Sequence, residues 1–128
     1  MPRINADLTA RVETWTDRCL SLMETIATVP NCPKWFADQF GRASTSVGAN
    51  FFEADQAMSR GDFCKCLAIC LKELNESRFW IRTIGRRGWV PSDRLGPLEA
   101  ESIELLKILN SMVVRSRKPP DTKPPQSA

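Results

Sequence analysis

The sequence contains no histidine, and this absence removes several kinds of chemistry. Histidine is the side chain that most often serves as a general base or a metal ligand near neutral pH. Without it, the chain lacks the Glu-x-x-His pairs that hold two metal ions in di-iron helical bundles. We therefore expect no cofactor, and catalysis is the weakest of the functional hypotheses.

Long apolar runs are also missing. No segment approaches the roughly 20 consecutive apolar residues that a membrane-spanning helix requires. Residues 1–5 lack the apolar stretch and the small-residue cleavage site of a secretory signal. We expect a cytoplasmic protein that has no membrane partner.

A paired cysteine framework of the kind that small secreted proteins use is absent too. The five cysteines are odd in number, and most of them lie within apolar patterns, which favours reduced thiols. Cys66 and Cys70 lie one helical turn apart and could share a metal ion with Cys64 or Cys19. Thiols on an apolar stripe are more often small core residues, so we expect no metal site.

The chain has no large surplus of one charge. Its 18 basic and 15 acidic residues leave a net charge of +3. This balance permits an anionic partner but is far from that of many dedicated nucleic-acid-binding proteins. Net charge alone therefore does not decide the function.

Helical periodicity is the dominant pattern in the sequence, with almost no strand alternation. Apolar residues recur at steps of three and four, which places them along one face of a helix. The predicted helices span residues 5–29, 34–58, 62–86 and 92–116. Asp62 is the predicted N-cap of the third helix, while Ser92 and Pro97 mark two alternative starts for the fourth.

Four helices that are joined by short connections pack most simply as sequential antiparallel neighbours. We predict an all-α fold, an antiparallel up-and-down four-helix bundle over residues 1–118. Residues 119–128 are rich in proline and have little to bury, so we predict a disordered tail.

Parts of the second and third predicted helices resemble a known family. The resemblance lies in residues 42–54, 59–63 and 72–82, with a further match at 105–112, and it spans about residues 11–118. Its most distinctive groups are Asn50 with Glu53, and Lys72-Glu73 with Glu76. The chain resembles bacterial four-helix-bundle proteins first noticed in intervening sequences of 23S ribosomal RNA genes, which are related to the accessory variability determinant of diversity-generating retroelements.

This resemblance implies a four-helix bundle that assembles into a ring-like homopentamer and binds nucleic acid. For the accessory variability determinant itself, it implies a reverse transcriptase as partner. Most members have no established activity. The accessory variability determinant is described as markedly basic, whereas the surplus here is only three charges, which leaves room for a different partner.

Four polar residues are predicted to be buried: Asn50, Glu53, Glu73 and Glu76. The three glutamates could converge as paired carboxylates, although salt bridges to Lys72 or Arg42 are the simpler interpretation. Asn50 shares the predicted buried face of its helix, where an amide needs hydrogen-bond partners. We expect an inter-helix hydrogen bond that fixes register, with a ligand contact as the alternative.

A subunit interface is predicted on the outer face of the second helix. Gly41, Thr45, Gly48 and Phe52 line up opposite the core stripe, and each interior glycine costs roughly 1 kcal/mol relative to alanine. Small residues followed by an aromatic suit the close approach of another helix, and Phe79 is predicted to point outward from the third helix. The alternative is that scattered exposed apolar residues need no explanation.

Seven cations are the candidate nucleic-acid-binding residues, and the first three are stacked at four-residue spacing along the third helix. They are Arg78, Arg82, Arg86, Arg87, Arg115, Arg117 and Lys118. The last three also suit the C-terminal end of a helix dipole, which is their simpler role. We interpret the four tryptophans as core and boundary residues and expect no platform for stacking bases.

The predicted function is therefore that of a non-catalytic, oligomeric helical bundle that binds RNA or DNA electrostatically as an accessory to a nucleic-acid enzyme. Repetition of the arginines in a ring would multiply a modest patch. The alternative is a protein-interaction scaffold whose arginines are solvated surface.

Overall fold

The computed structural model of the chain describes residues 4–117, and over that range it contains four α-helices and no strand. The helices are α1 (Ala6–Ala27), α2 (Lys34–Asp55), α3 (Arg60–Arg86) and α4 (Ser92–Arg117). The helices α1 and α2 end before the predicted residues 29 and 58, and α4 ends just after the predicted residue 116. Lys118 and the predicted disordered tail at 119–128 lie outside the described residues.

The start of α3 differs from the prediction because Ser59, and not Asp62, caps this helix. The Ser59 hydroxyl oxygen accepts a hydrogen bond from the backbone N–H of Asp62 at 3.1 Å. A serine in extended conformation that accepts from the third helical residue is a preferred N-cap. Asp62 instead lies in the first turn, where its negative charge interacts favourably with the helix dipole.

The other end of α3 and the start of α4 meet at a tight connection, residues 87–91. Gly88 has φ +70, a left-handed conformation that glycine adopts without the steric cost of a Cβ atom. Of the two predicted starts for α4, the structure has the earlier one at Ser92. Pro97 therefore lies inside the helix.

Consecutive helices run antiparallel, as their cross-helix contacts show. The backbone N–H of Ile4, just before α1, donates to Asp55 at the end of α2 at 2.8 Å. The Cys70 thiol of α3 donates to the backbone oxygen of Val47 in α2. Glu76, which follows Cys70 in α3, pairs with Arg42, which precedes Val47 in α2, so these two helices run in opposite directions. The contact between α1 and α4 closes the arrangement. The predicted all-α four-helix bundle is confirmed, whereas the pentamer stays a prediction.

The core is a single apolar cluster to which all four helices contribute. Its largest fully buried side chains include Trp15, Phe40, Leu74 and Leu109. Trp15 also has a polar group to satisfy in the interior, and its Nε1–H donates to the Ser102 hydroxyl at 2.8 Å. This hydrogen bond links α1 to α4.

Two glycines of α2 lie against α1 of the same chain. A Cβ atom added at Gly41 would lie 3.4 Å from Met23 Cγ, and one added at Gly48 would lie 3.0 Å from Thr16 Oγ1. The prediction that both line the outer face is wrong, because Gly41 is buried and Gly48 is half-buried beneath α1. Their small size permits close packing within the bundle.

None of the four described helices combines the length and the apolar content that a membrane span requires.

Candidate nucleic-acid interface

Three arginines line one cleft along the C-terminal half of α3. Arg78, Arg82 and Arg86 follow one another at four-residue spacing, which places successive side chains on the same side of the helix. Together with Asn75 and Phe79 they line a cleft of about 370 Å³. The predicted row of arginines is therefore brought together on one surface, which we call the arginine row (Arg78, Arg82, Arg86).

Two arginines elsewhere on the bundle, Arg11 and Arg42, are paired with carboxylates. Arg11 makes a two-pronged contact with Glu101, at 3.0 and 2.7 Å. Arg42 donates to Glu73 at 3.1 Å and to Glu76, and these hydrogen bonds raise its pKa. The bidentate contact of Arg11 makes a strong, oriented ion pair, and Arg42 bridges two carboxylates. These two arginines are thus committed to joining helices.

The arginine row and its neighbour Arg87 are not neutralised in this way within residues 4–117. Arg86 Nη2 donates to the neutral hydroxyl of Thr83 at 2.6 Å. Arg82 comes no nearer than 4.0 Å to Glu99 across exposed surface, where an ion pair is worth little. The Nε of Arg78 is buried with no hydrogen-bond partner among the described residues. The exposed side chains of Arg82, Arg86 and Arg87 therefore keep charge for another molecule, whereas the buried Nε of Arg78 is not accessible to one.

Arg115 and Arg117, the other predicted cations that the structure describes, lie at the other end of the bundle. Arg115 and Arg117 are exposed in the last turn of α4, whereas Arg86 and Arg87 lie beside its first turn. At a 1.5 Å rise per residue the two groups are roughly 35 Å apart. The structure thus divides the predicted cations into two groups, and Lys118 lies outside the described residues.

Next to the arginine row, five aromatic rings from α2, α3 and the connection after α3 meet in a groove of about 310 Å³. We call it the aromatic groove; its rings are Trp35, Phe36, Phe79, Trp80 and Trp89, with Arg86 and Arg87 at its edge. The interpretation of the tryptophans as core and boundary residues is wrong for Trp35, which is 61% exposed.

The sequence does carry a signal for this groove. Trp35 precedes Phe36 and Phe79 precedes Trp80, and successive residues of a helix point about 100° apart. Both members of such a pair cannot face the centre of the core. Phe36 is buried and Trp80 half-buried, so Trp35 and Phe79 are left at the surface. What the helical pattern does not show is that the two pairs meet.

The predicted buried polar residues have different surroundings from those expected. Glu73 and Glu76 bind Arg42, which confirms the salt-bridge interpretation. Glu53 is exposed, so its predicted burial is wrong. The Asn50 amide donates to the backbone oxygen of Ser46 at 2.9 Å on its own helix, so the predicted inter-helix hydrogen bond is wrong as well. Asn50 is only half-buried, and Ser46, one turn earlier, accepts the hydrogen bond from its amide group.

The predicted interface residues do not form one patch. Thr45 is exposed and its hydroxyl donates to the Gly41 carbonyl at 2.7 Å, whereas the glycines lie against α1. Phe52 is 65% exposed near the C-terminal end of α2. Phe79 lies at the opposite end of the α2–α3 pair, in the aromatic groove. Phe52 and Phe79 would therefore need separate partners.

The cysteines are free thiols, as predicted. Burial raises the pKa of Cys19 far above its ordinary value and raises that of Cys70 to about 12. Both thiols are thus protonated near neutral pH, and a protonated thiol is a poor nucleophile. Among residues 4–117 no cluster of three or more potential metal ligands is present.

Comparisons with known proteins bear on the whole bundle. The family model of the 23S rRNA-intervening sequence protein matches residues 13–111. A crystal structure at 1.70 Å resolution of a protein of unknown function from the S23 ribosomal protein family of Bacteroides thetaiotaomicron VPI-5482 is similar, with a TM-score of 0.77 and 29% identity. The match covers 83% of this chain and 97% of that chain. No curated protein matches the sequence.

Proposed function

The chain belongs to the family of 23S rRNA-intervening sequence proteins, and on that premise we propose that it binds the phosphate backbone of RNA or DNA without catalysing a reaction. The observation that carries the proposal is the contrast between its arginines. Arg11 and Arg42 are paired with carboxylates, whereas Arg78 and Arg86 form no ion pair with any residue of 4–117.

Phosphate is the anion that suits this surface best. Guanidinium groups match phosphate oxygens with two parallel hydrogen bonds, and each contact releases counterions from the nucleic acid. The four-residue spacing presents successive charges along one line rather than at a single point. Such a surface reads the backbone and carries little base-sequence information. We therefore expect binding that is sensitive to salt and indifferent to base order.

The proposal includes self-association, because one protomer carries a net charge of only +3. In an oligomer, repeated arginine rows would act on one nucleic acid at high effective concentration. A homopentamer and a role as accessory to a nucleic-acid enzyme, as for the accessory variability determinant, belong to this proposal. The absence of catalysis is supported by the protonated buried thiols and by the engagement of Glu73 and Glu76 with Arg42.

A protein-interaction scaffold is the second candidate function. It is favoured by exposed apolar side chains outside the arginine row, namely Phe52 at 65% and Met58 at 93% exposure. Exposed apolar patches are typical of protein-binding surfaces. On this alternative the arginines are solvated surface, and nucleic acid does not bind at low salt.

The test is the anisotropy of labelled structured RNA and duplex DNA, titrated with the protein from about 50 to 200 mM salt. We expect the affinity to fall steeply with salt and the Arg82→Glu/Arg86→Glu/Arg87→Glu variant to lose most of it. All three side chains are exposed, so this variant should fold normally. Absence of binding at about 50 mM salt would refute the proposal.

A matched control reverses the same number of charges away from the arginine row. Lys65, Lys72 and Lys107 are exposed on α3 and α4 and do not line its cleft. The Lys65→Glu/Lys72→Glu/Lys107→Glu variant has the same net charge as the arginine variant. If both variants lose affinity equally, the effect is one of net charge, and the arginine row is not the binding site.

A further inference from the structure

The aromatic groove is a preformed surface. Phe36 is 3% exposed at its base and packs edge-on against Trp80 and Trp89, with ring centroids 4.9 and 4.8 Å apart. Trp80 is fixed further, because its Nε1–H donates to Glu76 at 3.1 Å and Glu76 in turn binds Arg42. Edge-to-face ring contacts of this kind are favourable and directional. The groove therefore exists before any ligand arrives.

Two rings at the rim of this groove are exposed to solvent. Trp35 is 61% exposed and Phe79 is 55% exposed, although most large apolar side chains of the described residues are buried. A volume of about 310 Å³ lies near the lower end of the roughly 300–1,000 Å³ of small-ligand pockets. The exposed parts of these two side chains are thus available to a flat, apolar group.

The charge at the groove is entirely positive. The Arg86 guanidinium lies 5.8 Å from the centre of the Phe79 ring, and that of Arg87 lies 5.7 Å from the Trp89 ring. No carboxylate is among the described residues that line the groove. A ligand that complements this surface carries negative charge next to planar rings.

We infer that the aromatic groove binds unpaired bases of single-stranded RNA or DNA, which stack on Trp35 and Phe79 while Arg86 and Arg87 bind the adjoining phosphates. The inference rests on the proposed function and deepens it by naming the strand state. In a duplex the base faces are stacked on each other, so only unpaired bases present a face to an aromatic side chain. The arginine row would still bind duplex phosphates.

Charge argues against a proline-rich segment as the occupant, although aromatic grooves also bind such segments. The proline-rich residues 117–128 of this chain carry Arg117, Lys118 and Lys123 but only one acidic residue, Asp121. Arg86 and Arg87 would repel this segment and attract a nucleic acid. A protein occupant is therefore an outcome that the experiment must detect.

The experiment compares labelled oligouridylate with a blunt RNA duplex of equal length by anisotropy at about 50 mM salt. For the Trp35→Ala/Phe79→Ala variant we expect the oligouridylate affinity to fall about fivefold or more, because stacking is lost. The duplex affinity should change less than about twofold, since phosphate contacts dominate there. Trp35→Phe keeps a ring and should retain most of the oligouridylate affinity.

The matched control is Phe52→Ala, which removes an equally exposed ring outside the groove. It should leave the ratio of oligouridylate to duplex affinity unchanged, even if it alters self-association. Tryptophan emission of the unmodified protein gives a readout that needs no variant. Oligouridylate should quench it and the duplex should not.

The outcomes separate the two proposals. If both ligands bind with steep salt dependence but the groove variant leaves their ratio unchanged, the base-stacking inference is wrong and phosphate binding stands. If neither ligand binds, the proposed function fails and the inference fails with it. If Trp35→Ala lowers the mass by light scattering while oligouridylate affinity persists, the groove binds protein and the inference is overturned.

Discussion

Three buried serines differ in the hydrogen bonds that they make in this bundle. Ser44, Ser77 and Ser102 are fully buried, and each hydroxyl donates to the carbonyl one turn earlier in its own helix. Ser102 alone among them also accepts a hydrogen bond from another helix, from Trp15 Nε1. Removing the Ser102 hydroxyl would leave the buried Nε1–H of Trp15 without a hydrogen-bond acceptor.

We predict that Ser102→Ala lowers the free energy of unfolding by about 1–3 kcal/mol, the cost of an unsatisfied buried N–H. Ser44→Ala and Ser77→Ala remove only a bond within a helix, and alanine is the better helix former, so they should change stability by less than about 0.5 kcal/mol. Urea denaturation followed by circular dichroism measures all three. Equal losses at the three positions would contradict the role assigned to Ser102.

At the scale of the helix, α2 shows that a single apolar stripe in the sequence does not predict every buried residue. The helical pattern predicts its inward face through Phe40, Ala43 and Val47, and these residues are buried. A helix in a bundle packs against two neighbours, however, so its buried arc is wider than one stripe. Gly41 falls within that wider arc, against α1, and the pattern placed it outside.

Other elements follow the sequence closely, since local signals decide them. The buried residues of α1, Val12, Trp15, Cys19 and Ile26, follow one another at steps of three, four and seven, which the predicted helical periodicity places on one face. The start of α3 does not follow its prediction, because Ser59 caps the helix in place of the predicted Asp62. The aromatic groove depends on contacts between α2 and α3, which no local pattern contains.

The two glycines Gly48 and Gly96 offer a test of close packing between helices. A Cβ atom at Gly48 would lie 3.0 Å from Thr16 Oγ1, which is itself held by a hydrogen bond to Val12. At Gly96 a Cβ atom would meet nothing within 4 Å other than its chain neighbours Leu95 and Pro97 and the backbone of its own helix. Both residues lie inside helices, where alanine has the better propensity.

Gly96 precedes Pro97, which disfavours the helical conformation for a residue that has a Cβ atom, so Gly96→Ala should change the free energy of unfolding by less than about 1 kcal/mol. Gly48→Leu should lower it by about 1–3 kcal/mol, because a larger side chain forces α1 and α2 apart. Thermal unfolding of the two variants beside the parent protein gives both values. Stability of Gly48→Leu equal to the parent, with a reduced mass by light scattering, would instead place Gly48 in a subunit contact.

At the scale of the whole molecule, the features proposed to function lie apart on the bundle. The cleft along the arginine row and the aromatic groove share the C-terminal half of α3, and Phe79 and Arg86 line both. Phe52 lies near the C-terminal end of α2, whereas Trp35 of the aromatic groove lies at the N-terminal end of this helix. A subunit contact through Phe52 would leave the nucleic-acid surface free, so association and ligand binding need not compete.

Phe52 is thus the residue at which to test self-association separately from nucleic-acid binding. Its ring is 65% exposed, so Phe52→Glu should leave the fold intact while placing a charge in any apolar contact that covers it. We expect light scattering to give a multiple of the 14.4 kDa protomer mass for the parent protein and a lower mass for this variant. Ala10→Glu adds the same charge at an exposed position of α1 and should leave the mass unchanged. A parent mass of one protomer would remove self-association from the proposed function, and nucleic-acid affinity would then have to come from a single arginine row.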